Sequence, residues 1–219
     1  METKEKLTEV AYKHIFDGIL QGKFRPGTFL NIDDISEMLN ISKTPIREAL
    51  LELEGEGLIM RNSRYYYIFS PSKKEIMDHY EVRRILEGEA AALAAVNSSP
   101  ELINDLGQII KRIEDLSKMG EPDPIIFADL SGKFHSLICA GSGNQLLAKI
   151  VGDIRLRLKI VRVTSFTSFN RRNDDLMEHK AVFKAIKDRN PSLARELMLD
   201  HQNKVIEYVK RELLMQFYE

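Results

Sequence analysis

Three histidines and one arginine are the side chains in this sequence best suited to hold a metal ion or an anion. His135 follows Phe134, His179 lies between Leu176 and Val182-Phe183, and His201 falls on the stripe from Leu197 to Val205. Each therefore sits on the apolar face of a different helical pattern. An inward neutral imidazole is either a core residue with its hydrogen bonds met or a metal ligand. Three that converged between helices would hold Zn²⁺, Ni²⁺ or Cu²⁺ and leave coordination positions open. Arg83 shares the helical stripe of Ile76, His79, Leu86 and Ala90, whereas Arg84 is turned away by about 100°. A guanidinium inside an apolar bundle needs an anion, either a protein carboxylate such as Glu87 one turn on or an acidic ligand.

A second polar set opens a helix near the N-terminus. In the run from Ser42 to Leu53, Ile46, Leu50 and Leu53 line one face, while Lys43, Thr44 and Arg47 cluster at the start and point elsewhere. Ser42 suits the N-cap, Pro45 stands in the first turn where a missing N–H costs nothing, and Gly55 and Gly57 mark the end. Cations and hydroxyls at such a turn suit docking in a DNA major groove.

The elements that must position these groups follow in order. Leu7 to Gln21 carries Leu7, Val10, Ala11, Ile15 and Ile19 at helical spacing, and Gly22 with Pro26-Gly27 ends it. Phe29-Leu30 is either a brief strand or a core contact. Asn31 caps a second helix with Asp33 and Asp34 in its first turn and Ile32, Ile35 and Leu39 inward, closed by Asn40. After the third helix, Leu58 to Phe69 holds two β-prone runs around an Asn62-Ser63 turn. Arg61 and Arg64 flank that turn, where they either reach phosphates and the minor groove or stay solvated. Helix, helix, turn, helix and hairpin make a winged helix.

Ser70-Pro71 is the junction, and Ser72 with Glu75 forms a capping box that opens a long helix to about Val96. Ser99-Pro100 and Asp123-Pro124 start the next two helices, ending at Gly120 and Gly141. Asn144 caps one carrying Leu147, Ile150, Ile154, Leu158 and Val161. The polar stretch Thr164 to Asn170 precedes a helix over roughly Asp174 to Asp188, and Asn190-Pro191 begins the last. The expected class is mainly α: a winged helix-turn-helix over residues 1–70 and an all-α bundle over 71–219.

The run Ser42-Lys43-Thr44-Pro45-Ile46-Arg47-Glu48-Ala49-Leu50 resembles the signature of the GntR family of bacterial winged-helix transcription regulators. Phe127, Phe134-His135, Ser142-Gly143-Asn144, Glu178-His179-Lys180 and Ala194 to Met198 to His201 resemble the FCD ligand-binding domain of its FadR-like branch, with Glu81-Val82-Arg83 to Glu87 matching that domain's first helix. The resemblance implies that His135, His179 and His201 converge on a divalent metal, zinc or nickel, with Ser131 standing where metal-binding members place an Asp or Asn. A hydroxyl is a poor ligand, so the site should be weaker or completed by water or an effector carboxylate. Asp129, about 120° round the helix from His135, is a doubtful substitute. It also implies that Arg83 meets an acidic metabolite rather than Glu87, with Arg157 a second candidate and Asn144 at the effector site. Two departures stand out. Tyr65 replaces the usual wing glycine, and Asp33 stands where some relatives place a DNA-contacting arginine.

Composition agrees with a DNA-binding protein only locally. The net charge of the 219-residue chain is −1, and Met1 to Phe69 carries nine Lys and Arg against eleven Asp and Glu, a net −2. Affinity must come from a cluster rather than bulk charge. No apolar run approaches the roughly 18 residues of a membrane span, and Met1-Glu2-Thr3-Lys4-Glu5-Lys6 lacks the apolar core of a signal peptide, so a cytoplasmic location is expected. Cys139, the single cysteine, reads as a small core residue.

The expected function is a metabolite-responsive regulator that binds a pseudo-palindromic operator as a homodimer. Lys43 and Arg47 would contact bases or phosphates, and Ser42 and Thr44 phosphates. Two alternatives differ in class. A three-histidine zinc site with an open position suits a metallo-enzyme, but no obvious general base shares those faces. The other is a DNA-binding protein whose second domain only dimerises, with the histidines as core.

Overall fold

The winged-helix order of the N-terminal segment and the six-helix pattern after it are both present in the computed structural model, which describes residues 2–20, 23–25, 27–63, 65–119, 123–159, 161 and 168–213. Gly22, Pro26, Arg64, Gly120 and the stretch Thr164 to Thr167 lie outside the described residues. The chain divides into two units, Met1–Ser72 and Lys73–Glu219.

In the first unit, α1 (Glu2–Leu20), α2 (Ile32–Leu39) and α3 (Lys43–Gly55) enclose Ala11, Ile15, Ile35, Ile46, Leu50 and Leu53. Asn40 closes α2 in the left-handed region at φ 52°, and the Ser36 hydroxyl donates to Ile41 O at 2.6 Å, which fixes the turn into α3. Beyond α3 the chain reverses at Gly57, whose φ of 68° disfavours a side chain. Strands β1 (Phe29–Leu30), β2 (Ile59–Asn62) and β3 (Tyr65–Ile68) form an antiparallel sheet in the order β1-β3-β2. Asn62 pairs with Tyr65, so the hairpin turns one residue later than its polar composition suggested, with Ser63 at φ 50°.

The second unit contains α4 (Lys73–Val96), α5 (Pro100–Ser117), α6 (Pro124–Gly141), α7 (Gln145–Arg157), α8 (Phe169–Lys187) and α9 (Pro191–Tyr208), followed by a π-helical turn over Val209–Leu213. The side chains of Ser99, Asp123, Asn144 and Asn190 each accept a backbone N–H at a helix start, and Pro100, Pro124 and Pro191 stand in first turns. Helix α8 begins at Phe169, five residues before the expected Asp174, with Ser168 as its cap. Its first turns bury Arg171 and Arg172 rather than apolar groups, so hydrophobic periodicity carried no signal there.

Helix α4 packs against α6, α7, α8 and α9. A Cβ at Gly88 would come within 2.8 Å of Leu199 Cδ2 on α9, so a larger residue there would push the Leu199 side chain aside where these two helices cross. Ala90, Ala91, Ala94 and Ala95 continue the same buried run of small side chains. No described helix is long and apolar enough to cross a membrane.

Candidate functional site

In the first unit, α3 buries Pro45, Ile46, Ala49, Leu50 and Leu53 and turns Ser42, Lys43, Thr44 and Arg47 to solvent. Ser42 occupies the cap position in extended conformation, but its side chain makes no capping hydrogen bond, which leaves the hydroxyl outward. Lys43 Nζ lies 2.5 Å from Asp33 Oδ1 on α2. Both groups are well exposed, so water screens the pair and the ammonium can exchange Asp33 for a phosphate at little cost. Arg61 on β2 donates from Nε to Ser63 O at 3.3 Å and lies over the Tyr66 ring at 5.6 Å, which holds it beside the hairpin turn. Arg64 lies outside the described residues.

In the second unit, His135 on α6, His179 on α8 and His201 on α9 come together in the core, each at most 1% exposed. Their ring centroids are 4.9 to 5.1 Å apart, and one nitrogen of each lies within 4.8 Å of those of the others. His135 Nε2 and His179 Nε2 are 3.1 Å apart. Two imidazole nitrogens bound to one ion at about 2.0–2.1 Å each would show much the same separation. Phe134 stacks on His179 at 4.2 Å and fixes that ring.

The opposite nitrogen of every ring faces a carboxylate. His135 Nδ1 is 2.7 Å from Glu87 Oε2, His201 Nδ1 is 2.6 Å from Glu178 Oε2, and His179 Nδ1 is 3.4 Å from Asp175 Oδ2. The hydrogen bond at His201 Nδ1 selects the tautomer with its proton there and leaves Nε2 the lone pair, whereas His135 Nδ1 and His179 Nδ1 lie near their carboxylates without an aligned hydrogen bond. His201 Nε2 is buried without a hydrogen-bond partner. Three ring nitrogens that face one another, that of His201 without a partner, fit a cation between them, with carboxylates already behind the rings.

Electrostatics keep the His135 and His179 rings in the coordinating form. Burial drives His135 well below the usual imidazole range, with Glu87 opposing, and burial together with the charges of His201, Arg171 and Arg155 does the same for His179. Burial alone would raise Glu178, yet the bonds from His201 and Arg171 bring it to about 2. Glu87 is likewise held well below the carboxylate range, since Arg83, His135 and Arg155 outweigh its burial. Asp175, Glu178 and His201 form a second possible metal grouping. Arg171 occupies both carboxylates, at 3.4 Å from Asp175 and 2.9 Å from Glu178, which makes them a supporting layer.

Several expected effector residues sit elsewhere. Arg83 is buried as its stripe required, but its anion is Glu87, one turn on, at 2.9 Å, which is the internal pair rather than the open cation expected for a metabolite. Arg157 is exposed, and the buried cation of α7 is Arg155, 3.0 Å from Glu87 Oε1. The true inward stripe of α7 is Leu147, Val151, Arg155 and Leu158, one step round from the stripe through Ile150, which is 39% exposed. Asn144 is exposed and its side chain is used in capping Leu147 N at 3.0 Å, so it belongs to the helix start. Ser131 is buried on α6, one turn before His135, while Asp129 faces outward. Cys139 is a core residue whose thiol is pushed up to about 12 by burial and the nearby Glu87 charge. Arg155, Glu178, Asp175 and Gln202 were missed as site residues. Polar groups on apolar helices mark a site only once the helices are assembled.

Residues 78–204 match the FCD domain family, and residues 7–65 match the family described as bacterial regulatory proteins, gntR family. The chain is 28% identical over 203 residues to the "Uncharacterized HTH-type transcriptional regulator YdhC" of Bacillus subtilis, spanning 92% of this chain and 90% of that one. It is 26% identical over 195 residues to the gluconate operon transcriptional repressor of Bacillus licheniformis, spanning 84% and 76%. Its fold is similar to that of E. coli McbR/YncC, with a TM-score of 0.68 at 20% identity over 94% of this chain and 98% of that one. The two matched families and the two Bacillus relatives are of transcription regulators, not enzymes, which removes the metallo-enzyme alternative.

Proposed function

The chain belongs to the GntR family of bacterial regulatory proteins, in the branch that carries an FCD domain, and from that premise we propose that its affinity for operator DNA is set by a small carboxylate bound beside a divalent metal in the helical unit. The observation that carries this reading is the meeting of His135, His179 and His201, each backed by a carboxylate on its outer nitrogen. Three neutral imidazoles leave the charge of a dication uncompensated in a buried site, and Ser131 adds no charge to them. An anionic oxygen ligand at an open position supplies the missing charge. The bound ion would polarise that oxygen and fix its place. The Bacillus licheniformis relative, a gluconate operon transcriptional repressor, supports the same reading.

Operator binding falls to Lys43, Thr44 and Arg47 at the exposed start of α3, with Ser42 before them and Arg61 and Arg64 on the wing. Two copies of the chain would read a two-fold operator, one α3 in each half-site. Ligand binding regulates DNA only if it favours one arrangement of the two winged helices over another.

Elemental analysis of the purified full chain beside His179→Ala tests the premise. About one equivalent of zinc or nickel per chain, lost in the variant, is expected. Operator affinity titrated with small hydroxycarboxylates should then change for the loaded protein and stay fixed after chelation. No metal in either protein after reloading with zinc and nickel would overturn the reading.

A further inference from the structure

The second unit buries a carboxylate, Glu87, at 1% exposure among several polar partners. Its Oε1 accepts from Arg83 Nε at 2.9 Å and Arg155 Nη1 at 3.0 Å, and its Oε2 accepts from Gln202 Nε2 at 2.6 Å and lies 2.7 Å from His135 Nδ1. These four groups come from α4, α7, α9 and α6, so the cage is assembled by several helices rather than by one. Two guanidinium groups and an amide that donate to one carboxylate, with an imidazole nitrogen beside it, are the parts of a receptor for a carboxylic acid.

We propose that this cage is a carboxylate-binding site which the chain fills with its own side chain. Glu87 acts as a tethered ligand, accepts hydrogen bonds from Arg83 and Arg155 from within, and closes the site to free acids. Any acid that regulates the protein must therefore be recognised at the histidines rather than by these arginines. Removing the tethered ligand opens the site. Glu87→Ala deletes one methylene and the carboxylate, the heavy atoms of acetate, so the vacated volume and the unpaired donors select acetate over longer monocarboxylates. Access is by local opening of the bundle.

This inference needs no metal, so its test is run on the full chain in EDTA, and a negative elemental analysis would end the preceding proposal without touching it. Thermal melts of the parent protein, Glu87→Ala and Glu87→Gln are compared in sodium chloride, formate, acetate, propionate and butyrate at equal ionic strength. Acetate should stabilise Glu87→Ala saturably, by about 5–10 °C at a hundredfold excess over its dissociation constant. Butyrate should do little, because the atoms that Glu87→Ala removes leave the volume of acetate and not that of two further methylenes. Neither the parent nor Glu87→Gln, whose amide fills the space, should distinguish acetate from chloride. If Glu87→Ala does not fold alone, refolding from urea replaces the melt, and recovery in acetate but not in chloride is the expected result. Indifference of Glu87→Ala to acetate, equal effects of acetate and butyrate, or failure to refold in both salts would overturn the proposal.

Discussion

Lys43 and Arg83 each sit beside an acid, at 2.5 Å from Asp33 and 2.9 Å from Glu87, yet the two pairs do different work because one is in water and the other is not. The Lys43 side chain is 51% exposed and that of Arg83 3%. An exposed pair is worth at most about 1 kcal/mol, since solvent screens it and two long side chains must be ordered to make it. Such a cation can leave its partner for a phosphate. A buried pair gives its groups no alternative, and breaking it by removing one partner costs about 3–5 kcal/mol. Charges in the winged unit are therefore available to a partner, while those around Glu87 define the shape of the core.

The sharpest way to break this comparison is Glu87→Gln, which keeps the volume and removes the charge. It should destabilise the protein by about 3–5 kcal/mol in urea unfolding. A loss below about 1 kcal/mol would class the buried network with the surface pair. Arg47→Ala should do the reverse, costing about 1–3 kcal/mol of operator affinity if it reads a guanine, with stability changed by less than about 0.5 kcal/mol. Unaltered affinity in a footprinting titration would remove Arg47 from the interface.

Protons probe the same contrast. His135 and His179 are held below their ordinary range in the fold, so on acidification the unfolded chain takes up protons near pH 6.5 while the native state does not. Their contribution is present above about pH 6.5 and is lost as pH falls below it. Glu87 and Glu178, also depressed, add a further loss below about pH 4.5. The melting temperature of chelator-treated protein should accordingly fall between pH 7 and pH 5, and a flat profile there would mean that the rings are not held neutral. The smallest effect belongs to Asp33→Asn. Stability should shift by less than about 1 kcal/mol, while the salt dependence of operator binding should steepen by up to about one unit as Lys43 gains a phosphate. An unchanged slope would mean that Asp33 does not restrain Lys43.

Helix starts were legible because Ser, Asp and Asn caps followed by proline act within one turn, and Ser99, Asp123 and Asn190 cap as their sequence suggests. The exposed start of α3 was legible for the same reason, as Ile46, Leu50 and Leu53 define its buried side without help from distant residues. The metal-ligand candidates could be read too, since three histidines on apolar stripes are an unusual use of core positions.

What the sequence by itself determined is therefore local: the caps, the apolar stripes, the start of α3 and, through its motifs, the family. The tertiary structure alone decided which polar groups share a partner. Arg155 rather than Arg157 turns inward because α7 packs on the stripe of Leu147 and Val151, and a phase error of one or two residues on a helix is a rotation of 100° or 200°. Glu87 and Arg83 are neighbours in sequence, but only the assembly of α4, α6, α7 and α9 brings Arg155, Gln202 and His135 to the same carboxylate. Burial then makes that meeting costly to undo, and burial belongs to the packed bundle rather than to any one of its helices.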